Sequence, residues 1–385
     1  MKSLLLKHVE IYTETEIIYD GDLLISDGKI IEVGKNLSSS EAEVIELNGK
    51  KVVPGFIDIH THAGAGYDTM DATYEALNTI SIHLAKHGVT SFCPTTMTMD
   101  VPYILNALKN VNETMRKGTE GAQVLGAYVE GPFISKEHKG AQDERYILEP
   151  SIEIMDKFIE ASSGNIKVIA VAPENDKNGE FIEYVTKKNM KVSLGHTNAT
   201  YEEMKNGVDH GANIAVHAYN AMKGLHHREP GALGEVFLDD RLYGELICDF
   251  IHSHPAAVKI FLKIKGIDKV ILISDAMSAC GLGDGEYSLG GQKVIVEKGV
   301  ARLENGSLAG STLTLDKAVA NITTLGIPLF EAIKMAATNP AKAIGIYKRK
   351  GSIAIGKDAD ITILNNDLTV DMTIVGGKVV YSKKE

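Results

Sequence analysis

The sequence predicts an α/β protein: a (β/α)8 TIM barrel joined to a small β-sandwich domain that both ends of the chain form together. Strand-like apolar runs alternate with helical patterns through the middle of the chain, which favours a parallel sheet with helices packed on it. Both ends consist of short strand-like runs separated by Asp-Gly and Gly-Gly turns, which are typical of hairpins. Histidines and acidic residues follow several central runs, as expected for a barrel whose functional face lies at the carboxyl ends of its strands.

Size and composition are those of a folded protein with a large apolar core. The chain has 385 residues, of which 44% are hydrophobic and 24% are charged, so disorder is not expected. A barrel can take up most of this length as one unit. The formal net charge of -11 argues against nucleic acid as a partner, and any anionic ligand would need a local basic pocket.

Three features predict a cytoplasmic protein without a membrane partner. No apolar run reaches membrane-spanning length, and the apolar stretch in Met1–His8 is too short for a signal peptide. The cysteines, Cys93, Cys248 and Cys280, are odd in number and widely spaced. Such cysteines indicate a reducing compartment rather than a disulfide framework.

Residues 1–53 and 350–385 are predicted to form the small β-domain. The strand candidates are Leu4–Leu6, Glu16–Tyr19, Asp22–Ile25, Lys29–Val33, Ala359–Leu364, Met372–Val375 and Lys378–Tyr381. Neither terminal piece is large enough to form a stable sheet alone. We therefore expect the two pieces to pair, with a barrel domain of residues 54–349 inserted between them.

The barrel domain contains eight strand candidates, and helical patterns separate most of them. The strands are expected at Val53–His60, Thr90–Pro94, Val124–Val129, Lys167–Ala172, Lys191–Leu194, Asn213–His217, Glu245–Asp249 and Val270–Ser274. The helices are expected at Tyr74–Lys86, Pro102–Lys117, Ile152–Ser162, Phe181–Lys188, Tyr201–Gly207, Pro255–Lys265, Leu313–Leu325 and Leu329–Ala337. The turn signals in Glu286–Leu308 predict a β-excursion after the eighth strand. An open doubly wound sheet is the alternative fold.

The first barrel strand ends in two histidines, His60 and His62. Side chains two residues apart on a strand share one face, so the two imidazoles can hold one metal ion. At the ends of later strands follow Glu130, His196, His217 and Asp275. Because parallel barrel strands all end at the same face, one glutamate, four histidines and one aspartate are expected to converge at one mouth.

This set of side chains predicts a divalent metal site with one or two ions. Four histidines and a glutamate can hold two ions with a bridging carboxylate, or one ion with a position open for water. No serine or cysteine nucleophile motif is present, so hydrolysis by a metal-activated water is the economical mechanism. Asp275 can take the proton of the water and return it to a leaving amine.

The motifs resemble those of a known family over essentially the whole chain. Pro54–His62 and Gly351–Asp360 resemble the marks of the amidohydrolase superfamily. A closer resemblance is to the N-acetylglucosamine-6-phosphate deacetylase family, carried by Glu130–Phe133, Leu194–Thr197, His217–Met222, Arg228–Gly231, Asp249–His252, Ile273–Ala276 and Leu308–Ser311. The resemblance implies a cytoplasmic homodimer that removes the acetyl group from a phosphorylated amino sugar.

The resemblance also implies roles for individual residues. Glu130, His196 and His217 are expected to hold one metal, and His60 and His62 to hold a second with Glu130 as the bridge; zinc or iron are the expected ions. Asp275 is the expected general acid/base. Substrate contacts are expected from Gln142, Asn220, the amide of Ala221, Arg228 and His252, with His252 supplied by the other subunit of a dimer. Phe250 stands where glycine is typical of the family.

Two rival functions remain open at this stage. The chain could be another amidohydrolase, such as a cyclic-amide hydrolase or a D-amino-acid deacylase, although many of those bridge their metals with a carboxylated lysine and the third strand here ends in Glu130. It could also be a catalytically inactive barrel that serves as a scaffold. An inactive barrel should have lost a ligand or Asp275, and none is missing. Metal content separates these classes.

Overall fold

A computed structural model describes residues 3–383, and in it both ends of the chain share one hydrogen-bonded sheet of eight strands. The strands are Ser3–Tyr12, Ile17–Ser26, Lys29–Gly34, Ala42–Glu46, Lys51–Pro54, Ile361–Leu364, Val370–Val375 and Lys378–Ser382. The two ends meet where Lys51–Pro54 pairs antiparallel with Ile361–Leu364. The sheet has an apolar core of its own, which includes Leu6, Ile11 and Ile361. Its division into a sandwich, and the domain boundaries given above, stay predictions.

The middle of the chain forms a TIM-barrel-like ring of parallel strands. In order, the strands are Phe56–Thr61, Val89–Pro94, Ala127–Val129, Ile166–Val171, Lys191–Leu194, Ile214–Ala215, Tyr243–Ile247 and Val270–Ile273; the short strand Gln123–Val124 precedes the third. The ring closes between its eighth and first strands, where the backbone N–H of Asp275 donates to the carbonyl oxygen of His60 at 2.9 Å. Closure places all eight carboxyl ends at one mouth.

Helices surround the ring. They are Tyr74–Lys86, Val101–Lys117, Ile152–Ala161, Glu180–Lys187, Tyr201–Asp209, Gly231–Leu238, Pro255–Lys265, Leu315–Thr324, Leu329–Ile333 and Asn339–Ala343, with a π-helical turn at Lys334–Thr338. No pattern in the sequence predicts the helix Gly231–Leu238. Apart from Glu235 its residues are apolar, and all but Leu238 are buried, so no amphipathic period marks it. Within residues 3–383, the helices are all too short or too polar to cross a membrane.

A separate antiparallel sheet follows the eighth barrel strand, as the sequence predicted. Its strands are Gly285–Leu289, Gln292–Glu297 and Val300–Leu303. Leu289, Val294 and Val296 pack with Met97 and Met277, so this sheet lies beside the loops at the mouth of the barrel.

Candidate active site

The two histidines of the first strand lie beside Asp275. The Asp275 Oδ1 atom is 3.2 Å from His62 Nε2 and 3.6 Å from His60 Nε2. One potential ligand atom from each of these three residues lies within 4.8 Å of the others. This group comes from the first and eighth strands, and the backbone contacts that close the barrel bring it together.

A second group lies against the first and consists of Glu130, His196 and His217. The Glu130 Oε1 atom is 3.1 Å from His196 Nε2 and 3.2 Å from His217 Nε2. Glu130 also reaches the first group, since its Oε2 atom is 3.2 Å from His62 Nε2 and its Oε1 atom is 3.4 Å from His60 Nε2. It is therefore the carboxylate positioned between the two groups.

The four imidazoles are oriented as metal ligands. Each Nδ1 atom faces an acceptor: Glu245 Oε2 for His60 at 3.0 Å, Thr95 O for His62 at 3.2 Å, His138 O for His196 at 2.9 Å and Asn220 O for His217 at 3.3 Å. A neutral imidazole that donates from Nδ1 keeps its lone pair on Nε2. All four Nε2 atoms then lie within 3.4 Å of a Glu130 oxygen, and His60 Nε2 is buried with no hydrogen-bond partner. These residues fit one or two divalent cations.

The electrostatics of the cluster favour positive charge at its centre. Burial lowers the pKa of His60, but Glu130 and Glu245 outweigh it and raise the pKa to about 9. Burial likewise opposes ionisation of Glu130, yet the charges of His60 and His196 hold its pKa well below the usual range. Asp275 is also shifted down despite burial, chiefly by its contact with His62, so its pKa favours the carboxylate. A divalent cation would supply the positive charge that this arrangement stabilises.

Three of the six residues have left-handed backbones just after their strands. The φ angles are 44° for His196, 20° for His217 and 49° for Asp275, a region that non-glycine residues seldom adopt. The turn aims each side chain across the mouth instead of along the strand. Before His196, a Cβ on Gly195 would lie 2.4 Å from Val216 Cβ, so only glycine fits between the fifth and sixth strands there.

Two buried acids support the site without facing the cavity. Asp58 Oδ1 accepts from the backbone N–H groups of His60 and Ser274, which ties the first strand to the eighth. Burial raises the pKa of Asp58 to about 7. The second acid, Glu245, is not predicted as a site residue by the sequence. It lies inside a strand, and no local motif marks it; only its place beneath His60 reveals it.

A cavity of about 310 Å³ opens above the two groups. This volume is at the small end of ligand pockets, which span ~300–1,000 Å³. The predicted substrate-contact residues that line it are Gln142, Asn220, Ala221 and His252. No lysine or arginine is among the described residues that line the cavity.

Gln142 and Asn220 are held in place by hydrogen bonds. The Gln142 amide nitrogen donates to Glu130 Oε2 at 2.7 Å, and its oxygen accepts from the backbone N–H of Thr98 at 2.8 Å. The Asn220 amide nitrogen bonds the carbonyl oxygens of His217 and Ala218, each at 3.3 Å. Gln142 thus directs its amide nitrogen at Glu130, the carboxylate between the two groups.

His252 lies in the wall of the cavity of its own chain. The Asp249 carboxylate accepts from the backbone N–H of His252 at 2.8 Å and from its Nδ1 at 2.7 Å, which holds the ring beside the mouth. Within one chain, His252 therefore lies in the cavity wall, and its expected supply by the other subunit of a dimer stays a prediction. Phe250, at a position where the resemblance led us to expect glycine, adopts φ 64°, the backbone region that glycine favours.

Arg228 is placed differently. Its side chain is exposed and does not line the cavity. Its guanidinium contacts His227 Nε2 at 2.8 Å. Within one chain, the structure does not bring Arg228 together with the other predicted site residues.

Comparison with known proteins gives the family. A model of the amidohydrolase family matches residues 51–380. This chain belongs to the amidohydrolase family. An N-acetylglucosamine-6-phosphate deacetylase of Lysinibacillus sphaericus is 39% identical over 378 residues, 98% of this chain and 97% of the relative. An N-acetylgalactosamine-6-phosphate deacetylase of Escherichia coli O157:H7 is 38% identical over 368 residues, 95% of this chain and 96% of the relative.

Solved structures agree with this assignment. The N-acetylglucosamine-6-phosphate deacetylase of Pasteurella multocida superposes with a TM-score of 0.93 at 31% identity, covering 99% of this chain and 100% of that one. A structure of the Mycobacterium smegmatis enzyme in complex with N-acetyl-D-glucosamine-6-phosphate has a TM-score of 0.93 at 29% identity, again covering 99% and 100%. The resemblance to this branch of amidohydrolases is confirmed, and the chain is an amide hydrolase.

Proposed function

We propose that this amidohydrolase hydrolyses the N-acetyl group of N-acetylglucosamine 6-phosphate to give glucosamine 6-phosphate and acetate. The convergence of four histidine Nε2 atoms on Glu130, with Asp275 beside two of them and a cavity of ligand size above, carries the proposal. Relatives named for this reaction support the substrate. Amino-sugar catabolism and recycling of cell-wall sugars in the cytoplasm are the corresponding metabolic roles.

Glu130, His196 and His217 would hold one divalent cation, and His60 and His62 would hold a second one with Glu130 as the bridge. When bound, such a cation polarises a carbonyl and acidifies a coordinated water. Zinc or iron is the expected ion.

Asp275 performs the proton transfers. Its carboxylate lines the cavity, and its lowered pKa keeps it ready to accept a proton. As the water oxygen bonds to the acetyl carbon, its proton passes to Asp275. Asp275 then gives this proton to the amide nitrogen while the C–N bond breaks, so the products are acetate and the free amine.

Hydrogen-bond donors along the cavity orient the sugar. The Gln142 amide donates to the acetyl oxygen; unlike histidine, it cannot act as an acid. Asn220 and the backbone N–H of Ala221 bind the phosphate from one side, and His252 binds from the wall of the same chain. Burial lowers the pKa of His252, but the hydrogen bond to Asp249 outweighs burial, so the net pKa of His252 is raised. The raised pKa favours the cationic ring.

The phosphate also needs a strong cation, and we propose that a second subunit supplies it. The cavity holds no arginine or lysine among its described lining residues, whereas Arg228 is exposed outside it. An arginine offers a bidentate fork that matches phosphate. In a homodimer with a shared active site, Arg228 would therefore reach the cavity of its partner.

A deacetylation assay combined with metal analysis tests the proposal. The assay compares N-acetylglucosamine 6-phosphate, its galactosamine epimer and unphosphorylated N-acetylglucosamine. The expected result is bound metal, rapid release of acetate from the glucosamine phosphate and slow release from the unphosphorylated sugar. Preference for the epimer would assign the reaction of the Escherichia coli relative instead. A metal-free chain that deacetylates none of the three sugars would refute the proposal.

A further inference from the structure

Glu245 lies at the centre of the barrel, directly beneath the two groups of candidate ligands. It belongs to the seventh strand, Tyr243–Ile247, and is 0% exposed. A carboxylate buried this deeply is costly unless its environment compensates for the lost hydration. None of the reaction steps above uses it, so its presence needs a separate explanation.

A single oxygen of Glu245 contacts both groups. Glu245 Oε2 accepts from His60 Nδ1 at 3.0 Å and from the backbone N–H of His217 at 3.2 Å. His60 belongs to the group with His62 and Asp275, whereas His217 belongs to the group with Glu130 and His196. His217 has an unfavourable φ of 20°, and its backbone bond to Glu245 helps to hold that conformation.

The other side of His60 is also supported. The Tyr128 ring packs on the His60 ring with 4.5 Å between centroids, and both residues are fully buried. Rotation of the imidazole is therefore blocked by the Tyr128 ring and opposed by the Glu245 carboxylate. A metal ligand held by an acidic partner keeps both its orientation and its tautomer.

We propose that Glu245 is a positioning residue that couples the two metal-binding groups, by holding His60 as the Nδ1–H tautomer and His217 in its left-handed turn. This inference rests on the proposed metal-dependent function and extends it to a residue outside the ligand set. Because a carboxylate only accepts hydrogen bonds, it forces the His60 proton onto Nδ1 and leaves Nε2 free for the ion. A glutamine can instead present its NH2 group, which favours the opposite tautomer.

The test is zinc binding by the full chain without substrate, measured by competition with a chelator. Glu245→Gln should weaken zinc binding at the His60 side by roughly 10–100-fold, the usual effect of losing such a partner. Glu235→Gln is the matched control, because Glu235 is also a buried glutamate (2% exposed) but lies on a helix away from the site. Unchanged zinc affinity in Glu245→Gln would overturn the inference.

A double-mutant cycle separates positioning from general stability. If Glu245 acts through His60, Glu245→Gln should have little further effect on zinc affinity in a His60→Ala background. Fully additive losses would contradict this route. A wild-type chain that binds no zinc would instead refute the metal-dependent function, so the two failures differ.

A measurement on the wild-type chain does not depend on the folding of Glu245→Gln. Nitrogen-15 NMR of the zinc-loaded protein, with His60 assigned by its loss in His60→Ala, reports which ring nitrogen carries the proton. The inference requires a protonated Nδ1. A proton on Nε2 would overturn it.

Discussion

At the scale of single residues, the chemistry depends on where each ring nitrogen points. All four histidines face hydrogen-bond acceptors through Nδ1, so their Nε2 atoms surround Glu130 and Asp275. Glu130 contacts all four rings, whereas Asp275 contacts the pair from the first strand. This difference separates the expected bridging ligand from the expected proton carrier.

Asp275→Asn should retain metal and lose ~10²–10⁴-fold in kcat, the usual contribution of a general acid/base. An amide cannot take up the proton of the attacking water. Steady-state kinetics with metal analysis measures both quantities, and Asp22→Asn, at a buried aspartate in the terminal sheet, controls for loss of a buried charge. Near-normal turnover of Asp275→Asn would remove this residue from the mechanism.

The double variant His60→Ala with His62→Ala should lose one of two metal sites. Glu130, His196 and His217 remain as a complete set of three ligands, so the other ion should stay bound. Metal per chain, determined by elemental analysis after dialysis, is the measurement. Loss of all metal would show that the two groups do not bind ions separately.

At the scale of elements, the helix Tyr74–Lys86 supports the loop that follows the eighth strand. His83 is buried on this helix, and its Nε2 atom lies 3.5 Å from Cys280 Sγ in that loop. A Cβ on Gly281 would lie 2.4 Å from the His83 ring, so the contact is close. Asp275 begins the same loop, and the helix therefore helps to hold the backbone that carries it.

This contact predicts a pH-dependent stability. Burial, aided by the nearby charges of His87 and Lys86, lowers the pKa of His83 from 6.5 to about 4. His83 therefore binds a proton more readily in the unfolded chain than in the folded one. The folded state has its full stability above pH 6.5 and loses stability as the pH falls towards 4. This lowering of the His83 pKa corresponds to a loss of unfolding free energy on the order of 3 kcal/mol at acidic pH.

His83→Gln should therefore flatten the dependence of the unfolding free energy on pH between about 6.5 and 4. Denaturant unfolding at several pH values measures this slope. His210→Gln, at the end of another helix, is the control and should leave the slope in place. An unchanged slope in His83→Gln would assign the acid sensitivity to other groups.

At the scale of the whole molecule, one chain holds the candidate metal ligands but leaves Arg228 outside the cavity. The net charge of -11 repels anionic substrates at long range. Recognition of a phosphate must then come from short-range contacts. In the proposed dimer, residues of both chains provide these contacts.

Hybrid dimers distinguish the sources of Arg228 and His252. Mixing Asp275→Asn chains with Arg228→Ala chains should restore activity, because one cavity then combines an intact Asp275 with an intact Arg228 from its partner. Mixing Asp275→Asn with His252→Ala chains should restore none, since His252 lies in the cavity of its own chain. The assay is kcat/KM on the phosphorylated sugar with verified hybrids; no recovery in the first mixture would refute the shared site.

Arg228→Ala alone should lower kcat/KM for the phosphorylated sugar by roughly one to two powers of ten, equivalent to ~1.5–3 kcal/mol for a charge-assisted contact. Unphosphorylated N-acetylglucosamine lacks the anion and serves as the control substrate, on which the variant should be nearly unchanged. Equal losses on both sugars would contradict a role in phosphate binding.

Local patterns in the chain were enough to predict the barrel strands, most helices and the six side chains that meet at the mouth. Strand period and chain order suffice for these features, because parallel strands that close into a ring must end at one face. Patterns failed for Gly231–Leu238, because its residues other than Glu235 are apolar and show no amphipathic period. Glu245 and the placement of His252 required the folded chain: Glu245 bonds a histidine 185 residues away, and no local pattern records a contact that exists only after the barrel closes.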